Sequence, residues 1–172
     1  SANPSTKPSA NITGIILAGG RGQRMQTRDK GLLIHAGQPL IAWVLARIRP
    51  QVRRLLINAN RHIPRYAAYG HPVLPDAQAG QPGPLAGIAA ALAAAHMHGE
   101  RCREDLLIVP CDTPYLPPDL APRLQTGLRD NPAAGLAVAH DGERRQSLCL
   151  LIRPGTGQDL PAYLAAGGRK VA

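Results

Sequence analysis

Residues 13–31 read TGIILAGGRGQRMQTRDKG. The apolar run from Thr13 to Ala18 has the length and make-up of a strand buried on both faces, and Gly19 and Gly20 end it in a loop that carries Arg21, Arg24 and the pair Asp29-Lys30. The pattern returns in DLLIVPCDTPYLPPD, Asp105 to Asp119, where another buried strand gives way to a polar turn containing Asp112. A third instance is RRLLINAN, Arg53 to Asn60.

Helical patterns separate these strands. PLIAWVLARI (Pro39 to Ile48) has proline at a helix start and apolar residues at helical spacing, and Trp43 is expected in the core. GPLAGIAAALAAAHMHG (Gly83 to Gly99) is an alanine-dominated helix whose thin surface permits close approach to a sheet. HPVLPD (71–76) reads as a short strand cut off by prolines. PPDLAPRLQTGL starts a further helix, AAGLAVAH and RRQSLCLLI are strands, and TGQDLPAYLAAGG is a last short helix. Alternating strands and helices predict an α/β fold with a mostly parallel sheet and helices on both faces. Ligands of such sheets bind at the carboxyl ends of the strands. Those ends carry Gly19 to Lys30, Asn58 to Arg61, and Asp112.

The glycine loop fits neither of the two commonest nucleotide motifs. A dinucleotide fingerprint requires GxGxxG, but Gly20 and Gly22 are followed by Met25 at the third glycine position, and the second strand ends in Asn-Ala-Asn without an acidic residue for a ribose. A P-loop requires GK followed by Ser or Thr, whereas Lys30 lies between Asp29 and Gly31. Two readings remain: an anion cradle of backbone N–H groups with Arg21, Arg24 and Lys30 beside it, or a flexible turn with solvated arginines.

Composition narrows the partners. The 172 residues suit one domain, with aromatics at 3%, no Phe, and a core of Ala, Leu, Ile and Val. A formal charge of +9 comes almost wholly from arginine, since Lys7, Lys30 and Lys170 are the only lysines. Arginine forks around phosphate oxygens, so anionic partners are expected. No basic run and few aromatics argue against nucleic acid. Cys102, Cys111 and Cys149 show no CxxC spacing, which suggests a reducing, cytoplasmic setting. No zinc spacing, signal peptide or membrane-length apolar run occurs. Residues 1–11, rich in Pro and Ser, are expected to form a disordered tail.

Asp112 is the candidate metal ligand, because magnesium takes one or two carboxylates together with phosphate oxygens and water. Its alternative role is to cap the turn. Asn58 and Asp76 lie just beyond strands, where each is either a ligand or a turn residue. Cys111 has no neighbouring histidine to activate it and reads as a buried structural thiol.

Taken together, ITGIILAGGRGQRM…DKGLL, NANRH, GPLAGI and PCDTPYLPPDL resemble the molybdenum cofactor guanylyltransferase (MobA) family over residues 12–171. The resemblance implies a three-layer, Rossmann-like nucleotidyltransferase fold in residues 12–172. It also implies transfer of GMP from GTP to molybdopterin with Mg²⁺ as cofactor. By the same resemblance, Leu17, Ala18, Gly19 and Gly20 bind nucleotide, Lys30 contacts the GTP phosphates, Asn58 and Asp76 serve the guanine nucleotide, and Asp112 binds magnesium. Arg24 and Gly83 match positions on the phosphate or pterin side. A monomer is expected, with transient contacts to molybdenum enzymes or their chaperones, and with neither nucleic acid nor membrane as partner.

This chain departs from the family pattern at three places. Gln26 stands where a glycine is usual, Gln146 to Leu148 lack a usual proline, and Arg169 to Ala172 end where the family continues, so a missing C-terminal piece is expected. Rival readings are a cytidylyltransferase acting on the same pterin, a sugar-nucleotide enzyme, an inactive nucleotide binder, and a nucleic-acid-binding module.

Overall fold

The computed structural model describes residues 9–18, 29–76, 84–97, 104–143 and 145–156. Strand β1 (Ser9–Leu17) is followed by a small hairpin of β2 (Ile34–His35) and β3 (Gln38–Pro39), then helix α1 (Leu40–Ile48) and β4 (Val52–Asn58). Next come the short α2 (Ile63–Ala67), β5 (Val73–Leu74), α3 (Pro84–Met97), β6 (Asp105–Pro110), α4 (Leu120–Asp130), β7 (Leu136–His140) and β8 (Arg145–Ile152). Six of these strands make one sheet in the order β5-β4-β1-β6-β8-β7. Its first four strands are mutually parallel, and β8 runs antiparallel to both β6 and β7. The α/β architecture with a mostly parallel sheet is therefore as the sequence predicts.

The apolar runs become central strands because each has two faces to bury. Along β1, Ile12 and Ile16 pack with α1 and α4, while Ile15 and Leu17 point to the α3 side. β6 alternates likewise, with Leu107 and Val109 on the first face and Leu106 and Ile108 on the second. Burying one such side chain stabilises the fold by about 1.5–3 kcal/mol, so a one-residue register slip that exchanged the faces would be costly. In α1, Ile41, Val44, Leu45 and Ile48 are buried at the spacing expected of an amphipathic helix. The alanines of α3 do the work of a thin spacer, with Ala86, Ala89 and Ala90 buried beside Ile88 and Leu92.

Buried polar contacts fix the loop after β6. Gln51, which is almost fully buried, donates from Nε2 to the carbonyls of Arg47 and Pro117, and its Oε1 accepts from the Ala121 N–H at the start of α4. One side chain thereby ties the end of α1 to the turn that carries Asp112.

Several boundaries differ from the sequence reading. β1 begins at Ser9 and so enters the stretch expected as a tail, because Ser9 pairs with Val52 across a register irregularity. The β2–β3 hairpin and α2 have too few residues to show a period and were not expected. Trp43 is half-buried rather than in the core, since its indole Nε1 donates to the His35 carbonyl at 2.9 Å on the hairpin side. The last helix expected, after Thr156, lies outside the described residues. Among those that are described, no helix is long and apolar enough to cross a membrane.

Candidate active site

Strand register brings the predicted polar ends into one row. Leu17 lies opposite Asn58 on one side and Pro110 on the other, and Asn58 lies opposite Leu74. One residue further on, the Ala18 N–H donates to the Asn58 carbonyl (2.8 Å), the Ala59 N–H to that of Leu74 (3.0 Å), and the Cys111 N–H to that of Leu17 (3.1 Å). All four parallel strands thus release their chains at one level. Leu17 is buried with Ile88 and Leu56, and the main chain of Leu17 and Ala18 is engaged in the sheet, so these two residues set where the glycine loop departs. Gly19, Gly20, Arg24, Gln26 and Gly83 lie outside the described residues.

One polar group forms beyond β4 and β5. Asn58, almost fully buried, donates from Nδ2 to the Leu74 carbonyl at 3.1 Å and to Asp76 Oδ1 at 2.9 Å. Asn60 Nδ2 donates to the other Asp76 oxygen at 2.8 Å, and the Asp76 N–H returns a bond to Asn60 Oδ1 at 2.8 Å. The Asp76 carboxylate is oriented by two amides, yet each of its oxygens retains accepting capacity. Helix α3 closes on this group through Gly87: a Cβ there would stand 2.3 Å from Asn58 Oδ1 and 3.0 Å from Leu17 Cδ2. No side chain larger than hydrogen fits without moving Asn58.

A second group lies beyond β6. Lys30 and Asp112, 82 positions apart, meet with Nζ 3.2 Å from Oδ2, and both side chains remain open to solvent at 58% and 34%. Exposed pairs of this kind contribute at most about 1 kcal/mol, so an incoming anion and cation can separate them at little cost. Lys30 is presented by a 3-10 turn, Lys30–Leu32, whose first carboxylate cap is Asp29. Asp29 Oδ1 accepts from the Gly31 N–H at 3.2 Å and also from the hydroxyl of Tyr66, a fully buried residue of α2. Burial, reinforced by that bond to Asp29, pushes the Tyr66 hydroxyl well above the usual tyrosine range, so it stays protonated as a donor.

Other nearby groups are less suited to chemistry. Cys111 is buried under the second group, and desolvation together with the charges of Asp112 and Asp29 pushes its thiol up to about 12. A thiol so protonated is a poor nucleophile, in agreement with its structural reading. Tyr115 is exposed and shares a 2.6 Å hydrogen bond with His35 Nε2, their rings meeting edge to face at 83°. No group of three or more His, Cys, Asp or Glu side chains suited to a metal occurs among the described residues.

Sequence reasoning gave no role to Asn60, Asp29, Tyr66 or Gly87, although the first two fell among the polar residues it placed at strand ends. Asn60 lies within NANRH, Asp29 precedes Lys30 and Gly87 lies within GPLAGI, so three of them were inside quoted motifs. Tyr66 had no local signal, because the pattern IPRYAAYG shows no apolar period.

A mostly parallel sheet with an oriented carboxylate and a cation–carboxylate pair along its carboxyl edge offers polar groups where ligands of open α/β sheets bind. The MobA-like NTP transferase domain model matches residues 14–172, and the chain belongs to that family. It is 45% identical to a molybdenum cofactor guanylyltransferase of Shewanella sediminis over 163 residues, which span 95% of this chain and 80% of that protein. A second such enzyme, from Shewanella loihica, is 44% identical over the same length and shares. Among solved structures, the molybdopterin-guanine dinucleotide biosynthesis protein A of Archaeoglobus fulgidus has the same fold, with a TM-score of 0.69 at 21% identity over 92% of this chain and 76% of that one. The chain is thus a nucleotidyltransferase of molybdenum cofactor biosynthesis.

Proposed function

We propose that the chain transfers GMP from Mg-GTP to the terminal phosphate of molybdopterin, forming molybdopterin guanine dinucleotide and releasing pyrophosphate. The observation that carries the reading is the Lys30–Asp112 pair, an exposed cation and carboxylate brought together at the strand ends from 82 positions apart. The 45% identity to an enzyme bearing that name supports the choice of substrates.

A phosphate oxygen of the acceptor attacks the α-phosphorus of GTP. The new O–P bond forms as the bond from that phosphorus to the α,β-bridging oxygen breaks, and pyrophosphate leaves with the electron pair. The attacking oxygen is already anionic, so the step requires alignment and charge neutralisation more than a general base. Asp112 suits a magnesium site as a hard, partly exposed carboxylate, and the ion when bound would offset charge on the phosphates. Lys30, released from Asp112, turns its ammonium to the polyphosphate, and Arg24 acts near the transferring or acceptor phosphate. Asp76, held by Asn58 and Asn60, accepts from the guanine N–H groups, while Gly19, Gly20 and Gly83 let the backbone approach the ligand. The product then passes by transient contact to molybdenum enzymes or their chaperones.

The test is calorimetric titration of the protein with Mg-GTP, Mg-CTP and Mg-ATP, followed by pyrophosphate release on adding molybdopterin. GTP is expected to bind most tightly and to support turnover. Tighter binding and turnover with CTP would replace this reading with the cytidylyltransferase.

A further inference from the structure

We infer that Tyr66 is a positioning residue for Lys30, acting through the carboxylate of Asp29. The inference rests on the reading of Lys30 as a phosphate contact. Lys30 sits at the first position of a three-residue 3-10 turn, closed by the Leu32 N–H on the Asp29 carbonyl at 3.1 Å and the Leu33 N–H on the Lys30 carbonyl at 3.2 Å. Asp29 Oδ1 ties that turn to the core, because it accepts simultaneously from the Gly31 N–H inside the turn and from the Tyr66 hydroxyl 37 positions away. Tyr66 is fully buried within the core cluster that also holds residues of α1 and β4, so its hydroxyl is anchored by packing rather than by the surface. The chain from core to site therefore runs Tyr66 hydroxyl, Asp29 carboxylate, Gly31 N–H, and then the Lys30 side chain against Asp112.

Gly31 shows how tightly this device is built. A Cβ at that position would stand 2.5 Å from Tyr66 Oη and 3.3 Å from Cys111 Sγ, so the glycine is there to let the tyrosine hydroxyl reach the turn. Neither partner can retreat easily, because Tyr66 and Cys111 are both buried. A buried phenol in a chain without phenylalanine is also informative: its ring fills the core, but its hydroxyl is spent on a carboxylate at the site. The division between Asp29 and Lys30 follows, with the acid serving the turn and the ammonium held in an exposed pair with Asp112.

The test compares Tyr66→Phe, which keeps the ring and removes the hydroxyl, with Lys30→Ala and with the double variant. Tyr66→Phe is expected to melt within about 2–4 °C of wild type, as loss of one hydrogen bond implies, while weakening Mg-GTP binding about tenfold, as expected for a misaimed charge-assisted contact. In the Lys30→Ala background the same change is expected to add nothing further to the loss of affinity, whereas an equal loss in both backgrounds would show that Tyr66 acts independently of Lys30 and overturn the inference. Gly31→Ala, which pushes on the same hydroxyl, should reproduce the Tyr66→Phe binding defect.

A ligand-free arm separates this inference from the proposed function. Lys30 is one of three lysines, so its acetylation by a mild amine reagent can be followed by mass spectrometry. Tyr66→Phe is expected to raise the rate at Lys30 about two- to fivefold, the range an exposed ion pair can protect. An unchanged rate at Lys30 would overturn the positioning role even in a protein that binds GTP, and a raised rate would uphold it even if GTP were not the nucleotide.

Discussion

The two polar groups at the strand ends are built on opposite principles. Asn58, Asn60 and Asp76 are linked by side-chain hydrogen bonds of 2.8–2.9 Å, and their anchor, Asn58, is buried against α3. Lys30 and Asp112 have each other at 3.2 Å and face solvent. The first group is fixed by its own hydrogen bonds, a preorganised set of donors and acceptors. In the second, lysine and carboxylate neutralise one another in an exposed pair that can be separated at little cost. The preorganised group beyond β4 and the exchangeable one beyond β6 are thus separated by the single strand β1.

The largest effect expected from breaking this contrast is at Asp112. Asp112→Ala removes the sole carboxylate of the exchangeable group, and pyrophosphate release is expected to fall about 10²–10³-fold while thermal unfolding changes little. A fall in melting temperature large enough to explain the lost turnover would show that Asp112 is mainly a turn cap.

Gly87→Ala attacks the preorganised group from the helix side. The added methyl must displace Asn58, and such overpacking costs about 1–3 kcal/mol, read as a drop in melting temperature of about 2–4 °C per kcal/mol. Nucleotide affinity should fall with it, whereas Gly127→Ala on α4, where the new methyl would meet only Ala137 Cβ at 4.0 Å, should leave binding unchanged.

Alkaline pH probes the floor beneath the exchangeable group. Burial raises the thiols of Cys111 and Cys149 to about 12 and about 11, from an ordinary value of 9.0. The unfolded chain therefore releases these protons at lower pH than the folded one, and stability must decline as pH rises from about 9 towards 12. Urea denaturation at pH 8 and pH 10.5 is expected to show the decline, and Cys111→Ser or Cys149→Ala to reduce it.

The smallest effect concerns the ion pair itself. Lys30→Met should change folding stability by no more than about 1 kcal/mol, and raising salt should narrow even that difference. A larger loss would mean that the pair is structural and not poised for exchange.

Much of this site was legible in order along the chain. Asn58 and Asp112 stand just past apolar runs and Lys30 follows a glycine loop, so the rule that ligands meet the carboxyl ends of parallel strands pointed to them, while Asp76 stood open as ligand or turn residue until the family resemblance. The helix α1 showed its buried face through Ile41, Val44, Leu45 and Ile48. The hairpin β2–β3 and helix α2 were not legible, because they are shorter than any period that could announce them. Trp43 was misplaced for a related reason: helical spacing marks a face, but the hairpin that receives its indole is not visible in that spacing.

By itself the sequence determined the apolar strands, the helices between them and the polar residues released at each strand end, since these depend on composition and period within a dozen neighbouring positions. Tertiary structure alone decided that β1 lies between β4 and β6, that β8 reverses against β6, that Gly87 makes room for Asn58, and that Tyr66 reaches Asp29. Those contacts join residues remote along the chain, and their partners are chosen by which faces must be buried together. No local pattern carries that choice.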